Sequence, residues 1–166
     1  AEIWMKAGIY APGTEPEDSF VLVSSLTVYG GFTGNESTVS QRNVSQNTTI
    51  LSGLLEDGRR AYHVLFADSQ DGGEIRLDGL TVQSGGAVGS NNDALGGGLY
   101  AKDSRIRLVD VSFISNEAVL QGGGVYVQGG VLSIERARFV SNMAGSDGGG
   151  IALVDGSLMV TGMEMI

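Results

Sequence analysis

The sequence predicts an all-β chain, a right-handed parallel β-helix with coils of about 26 residues. Three observations carry this reading. Gly-Gly-Gly recurs at 96–98, 122–124 and 148–150, at equal intervals of 26. Phe113 and Phe139 keep the same spacing, as do Asn116 and Asn142 inside Phe-Ile-Ser-Asn and Phe-Val-Ser-Asn. Overlaying the repeats aligns apolar columns: Leu99, Val125 and Ile151; Ile106, Leu132 and Leu158; Leu108, Ile134 and Val160; Val111, Ala137 and Met163. A fixed period of this length marks a solenoid.

Each element follows from local pattern. Within a coil the apolar positions alternate with others such as Arg105 and Arg107, or Arg136 and Arg138. Period two means strand with one face inward. Three such strands, joined by Gly and Asn turns, cannot bury their apolar side alone. Stacking like on like supplies ladder hydrogen bonds and turns the columns into internal ladders. Phe113 and Phe139 are expected to stack inside, and Asn116 over Asn142 to form an amide ladder at a turn.

Residues 61–166 carry the regular coils. Ile75, Leu77, Leu80 and Val82 match Ile106, Leu108, Val111 and Phe113, each 31 residues on, with the extra length in a loop at Gly85–Ala94. Residues 1–60 form irregular N-terminal coils. Ile3–Met5, Ser19–Val23, Leu26–Tyr29 and Thr49–Leu51 read as strands, separated by loops at Ala11–Asp18 and Gly34–Asn47. Insertions on a solenoid tend to gather on one face, often the binding face.

Composition narrows the function. There are 27 Gly among 166 residues but only two Pro, a balance suited to many turns with nearly all backbone donors kept for pairing. The net charge of −9 disfavours nucleic acid as a partner. With no Cys there is no disulfide framework, thiolate nucleophile or Cys-ligated metal. No apolar run approaches the roughly 18 residues of a membrane-crossing helix, so no direct membrane insertion is expected.

Gly-Gly-Gly-[Ile/Leu/Val] followed by Phe-x-x-Asn resembles the repeats of chlamydial polymorphic outer-membrane proteins, which are autotransporter adhesins. That family's third triplet residue is usually Ala or Ser, where this chain has Gly. Ile3–Tyr10, Val28-Tyr29-Gly30-Gly31-Phe32-Thr33-Gly34-Asn35-Glu36 and Thr49–Gly53 resemble the opening of large secreted bacterial β-helix proteins. The resemblance implies a secreted, extracellular or cell-surface location. It implies a non-catalytic module of an adhesin, stalk or matrix protein, acting by binding or assembly, with glycans or host and cell-surface proteins as partners. The alternative is a fragment of a carbohydrate-active enzyme, a polysaccharide lyase or hydrolase.

Candidate residues are few. The enzyme alternative needs paired carboxylates on the outer face. Asp68 with Asp71, Asp78, and Asp103 above Asp155 are the ones to weigh, though Gly129 separates the last two by a coil. No catalytic residue is assigned. His63, the single histidine, reads as a strand residue beside Tyr62 and Val64. Asp147, Asp155 and Asn91-Asn92-Asp93 offer oxygens for Ca²⁺, but the nonapeptide binding pattern is missing, so no metal or cofactor is assigned. Tyr100 and Tyr126, one coil apart in an outward column, are the candidate binding residues: a platform for a sugar ring, or else cross-coil packing. Asn35, Asn43 and Asn47 head three N-x-Ser/Thr sequons. They would be glycosylation acceptors in a eukaryotic secreted protein, and in a bacterial one they reflect a Ser/Thr/Asn-rich loop.

The chain stops inside a repeat and opens without a signal-peptide pattern, as an excised piece of a longer protein would. Nothing in 148–166 looks like a cap. The last coil is therefore expected to be covered by the continuing parent chain or by another copy. The loops at Ala11–Asp18 and Gly34–Asn47 are long enough to fold over the N-terminal edge.

Overall fold

The computed structural model describes residues 1–166. Five coils and part of a sixth follow one another. The first holds β1 (Glu2–Lys6), β2 (Gly8–Tyr10) and β3 (Phe20–Leu22). The second holds β4 (Thr27–Phe32), β5 (Thr49–Ser52) and β6 (Leu65–Asp68). The third adds a short corner strand: β7 (Glu74–Asp78), β8 (Thr81–Gln83), β9 (Gly86–Ala87) and β10 (Leu99–Lys102). The fourth repeats that plan with β11 (Arg105–Val109), β12 (Ser112–Ile114), β13 (Glu117–Ala118) and β14 (Val125–Gln128). The fifth has β15 (Val131–Glu135), β16 (Ala137–Val140), β17 (Met143–Ala144) and β18 (Ile151–Val154), and β19 (Ser157–Val160) and β20 (Met163–Met165) begin the sixth. The only helices are two single 3₁₀ turns, at Val39–Gln41 and Asn91–Ala94.

Every strand pairs in parallel with its equivalent one coil away. The first face is β1-β4-β7-β11-β15-β19, the second β2-β5-β8-β12-β16-β20 and the third β3-β6-β10-β14-β18, with β9-β13-β17 at a corner. This is the topology of a parallel β-helix. The register is the one the columns require, with Ile75, Ile106, Leu132 and Leu158 in one ladder. Residues 1–60 continue the same sheets through β3–β6, β4–β7 and β5–β8 pairing. The lumen holds 23 buried apolar side chains in one cluster. Phe113 and Phe139 stack within it at 5.2 Å and 4° between planes.

The corners explain the turn residues. In the third to fifth coils a left-handed residue opens each change of face: Gly79, Asp110 and Arg136 after the first face, Ser84, Ser115 and Ser141 after the second, and Asp103, Gly129 and Asp155 after the third. One such residue reverses the side-chain alternation locally and bends the chain without a long loop. In the Gly triplets the first residue has φ of +66°, +68° and +66°. The third must be Gly for a different reason. A Cβ on Gly98 would lie 2.4 Å from the Gly124 carbonyl oxygen, and one on Gly124 would lie 2.5 Å from that of Gly150.

The Asn ladder closes the second corner. Asn116 donates from Nδ2 to the Val82 carbonyl and to Asn142 Oδ1, both at 3.0 Å, and its Oδ1 accepts from the Gly85 N–H at 2.9 Å. Asn142 repeats the pattern by donating to the Phe113 carbonyl at 2.8 Å. Buried backbone groups at the corner are thereby paired between coils.

Two loop expectations need correction. Neither Ala11–Asp18 nor Gly34–Asn47 covers the N-terminal edge. The first reaches sideways to the second coil, where the Tyr62 N–H donates to the Pro16 carbonyl at 2.7 Å. The second folds over the corner between the first two faces. Its Arg42 pairs with buried Asp78, which also holds Arg76 at 2.6 Å, and lies over the Tyr29 ring. Each loop answers backbone and charge needs on its own flank, so the lumen mouth stays open. Ile3, in the lumen column of Val28 and Leu77, is exposed there.

Candidate functional site

Three of the four insertions share one corner. Residues 11–19, 53–64 and 88–98 all connect the second face to the third, in successive coils. They stack and leave a cleft of about 380 Å³ between them. Within the middle insertion Leu54 and Arg60 form an antiparallel bridge around a turn closed by the Gly58 N–H donating to the Leu55 carbonyl.

Two arginines tie the middle insertion to its surroundings, Arg59 to the first insertion and Arg60 to the corners of the regular coils. Arg59 donates to Asp57 Oδ2 at 2.5 Å, to Glu15 Oε2 at 3.0 Å and to the Thr14 carbonyl at 3.3 Å. Arg60 donates to the Ser84 and Ser115 carbonyls at 3.0 and 2.8 Å and to Glu117 at 3.1 Å, spanning the third and fourth coils. The Asp57 carboxyl sits below its usual range, first because it accepts from the Arg59 N–H. Tyr62, half-buried, lines the cleft with Pro16 and Val88.

Of the two readings of Tyr100 and Tyr126, the structure shows cross-coil packing. They do point away from the lumen and stack, at 5.6 Å and 18°. They are nevertheless buried, 1% and 5% exposed. Phe66 continues the stack at 5.5 Å from Tyr100, His63 lies 5.2 Å from Tyr100, and Leu95 of the third insertion packs against the group. The rings are a second, external core and not an open platform. Burial raises both hydroxyl pKa values, and the Tyr100 hydroxyl has no partner.

His63 is likewise not in a strand. It sits in the connection before β6, with Nδ1 3.1 Å from the Gly96 carbonyl oxygen and Nε2 3.7 Å from Asp93. Burial pushes its pKa down, so it is neutral at pH 7.

The carboxylates weighed for catalysis are dispersed. Asp78 is 1% exposed and held by two arginines. Asp71 accepts from Ser69 and from the Gly73 N–H in a turn. The Asp103 carboxylate lies over Gly129, where a Cβ would be 2.4 Å away. No group of three His, Cys, Asp or Glu side chains converges as a metal site would require. Of the sequon residues, Asn35 is exposed. Asn43 accepts from Ser45 at 2.8 Å, and Asn47 donates its amide to the Gly31 carbonyl at 3.1 Å.

Comparison with known proteins adds no family: no family model, curated protein or solved structure matches the chain. No helix is long and apolar enough to cross a membrane.

Proposed function

We propose that this chain is a non-catalytic β-helix module of an extracellular or cell-surface protein, an adhesin, stalk or matrix component, that works by stacking onto a further coil at its ends. One observation carries the reading: both terminal coils present open apolar ladders. At the C-terminal end Leu158, Val160, Met163, Met165 and Ile166 are 39–69% exposed beside strands β19 and β20, which lack a partner on their outer edge. At the N-terminal end a cavity of about 190 Å³ is lined entirely by apolar side chains, among them Met5, Leu22, Leu51 and Leu77. Unpaired strand edges over an apolar lumen favour pairing with another chain segment. The covering layer is a further parallel coil. Adhesin-like repeat motifs and a cysteine-free acidic chain support the extracellular setting.

Sedimentation velocity on the isolated chain tests this. Association should rise with concentration and with salt, because screening weakens repulsion between copies of net charge −9. Leu158→Lys with Val160→Lys should give a monomer. A wild-type chain that stays monomeric at high concentration and high salt would remove the proposal.

A further inference from the structure

We infer that the cleft between the three stacked insertions is a binding site for a neutral oligosaccharide. Its size falls in the range of about 300–1,000 Å³ typical of small-ligand sites, and it is an open trough about 380 Å³ in volume. A trough suits a chain that passes through it better than a compact molecule that must be enclosed.

The lining selects the chemistry. Tyr62 presents an aromatic ring flanked by Pro16 and Val88, surfaces that take the C–H face of a pyranose. A Cβ on Gly89 would lie 3.3 Å from the Tyr62 ring, so the third insertion braces it from behind. Arg59 and Arg60 stand at the rim with fixed planes. Each guanidinium has five N–H donors and makes three bonds to protein acceptors. Two donors on each are left for hydroxyl oxygens of a ligand. Glu15 and Glu117 each use one carboxylate oxygen on these arginines, and the other accepts from a sugar hydroxyl.

Charge argues against an anionic ligand. Two arginines face Glu15, Asp57 and Glu117, so the rim carries a net −1 in a chain of −9. A uronate or phosphate chain would meet repulsion, while a hydroxyl-rich neutral chain finds donors and acceptors in alternation. A peptide added as a strand would compete for backbone donors such as the Gly86 N–H, which already bonds the Ala61 carbonyl at 2.8 Å. The site lies on the flank of the solenoid, so it is independent of end-on stacking.

The test is NMR titration of the ¹⁵N-labelled chain with gluco-, manno-, galacto- and xylo-hexaoses, and with a hexauronate for contrast. We expect at least one neutral hexaose to shift the Arg59 and Arg60 Nε–H signals together with the Gly58, Gly86 and Val88 amides. Tyr62→Ala should weaken that binding at least tenfold, while Tyr62→Phe keeps most of it. Unchanged chemical shifts at Phe113 and Phe139 would show that Tyr62→Ala leaves the coils intact. No shift at the cleft with any neutral hexaose at millimolar concentration, binding unaffected by Tyr62→Ala, or tighter binding of the hexauronate would each overturn the inference.

Discussion

Phe113 and Phe139, 26 residues apart in sequence, lie ring over ring at 5.2 Å inside the lumen. Their exposures are 0% and 2%, so each ring is covered above and below by neighbouring coils. Phe139→Ala would open a cavity that the rigid ladders on three faces cannot collapse. The expected cost is about 3–5 kcal/mol, read by chemical denaturation. A loss under about 1 kcal/mol would place the ring outside the continuous core.

Asn116 is the polar counterpart. It is fully buried and its amide serves three partners. Asn116→Ala strands the Gly85 N–H and the Val82 carbonyl away from water. We expect at least about 2 kcal/mol of destabilisation, since each orphaned buried group costs on the order of 1–3 kcal/mol. Asn116→Asp keeps the acceptor but loses both donors, so it should also destabilise, and more so as its carboxyl ionises. Equilibrium unfolding of both variants checks this, and wild-type stability in either would contradict the ladder.

The pH response has two parts. Glu36 accepts from the Thr33 N–H at 2.8 Å, and from the Thr33 hydroxyl and the Gly34 and Asn35 N–H groups. These bonds, the Thr33 N–H first, pull its pKa from 4.5 to about 2. A carboxyl lowered on folding stabilises the folded loop above about pH 4.5, and that contribution is lost as pH falls toward 2. Burial lowers the His63 pKa from its ordinary 6.5. The unfolded chain therefore binds that proton first, and stability declines as pH falls below about 6.5. Carbon-detected titration of Glu36 should show its midpoint near 2; a midpoint near 4.5 would mean that the turn does not hold it.

The solenoid itself was legible because its determinants repeat. Equal spacing of Gly-Gly-Gly, Phe and Asn reports a contact made again in every coil, and Leu99 over Val125 or Ile106 over Leu132 is the register found. Features made once, by insertions, were not. Tyr100 follows the outward phase, yet Leu95 from a 3₁₀-turn loop covers it, and no alternation pattern records what a neighbouring loop will cover. His63 flanks a strand in sequence but sits where the chain turns toward the Gly96 carbonyl. The cleft escaped for the same reason. Pro16, Tyr62 and Val88 come from three coils and share no spacing, and only the corner common to their insertions brings them together. A count of insertions at each corner is the signal that finds it.

Small-angle X-ray scattering over a concentration series distinguishes end-on stacking from other association, because it separates growth in length from growth in width. Each added coil extends the solenoid by about 4.8 Å along its axis, and stacking on the ladders of Leu158 and Val160 leaves the cross-section unchanged. The longest dimension should increase with concentration while the cross-sectional radius of gyration stays constant, and Leu158→Lys with Val160→Lys should abolish the increase. Scattering independent of concentration, or a cross-section that widens as the particles grow, would contradict end-on stacking.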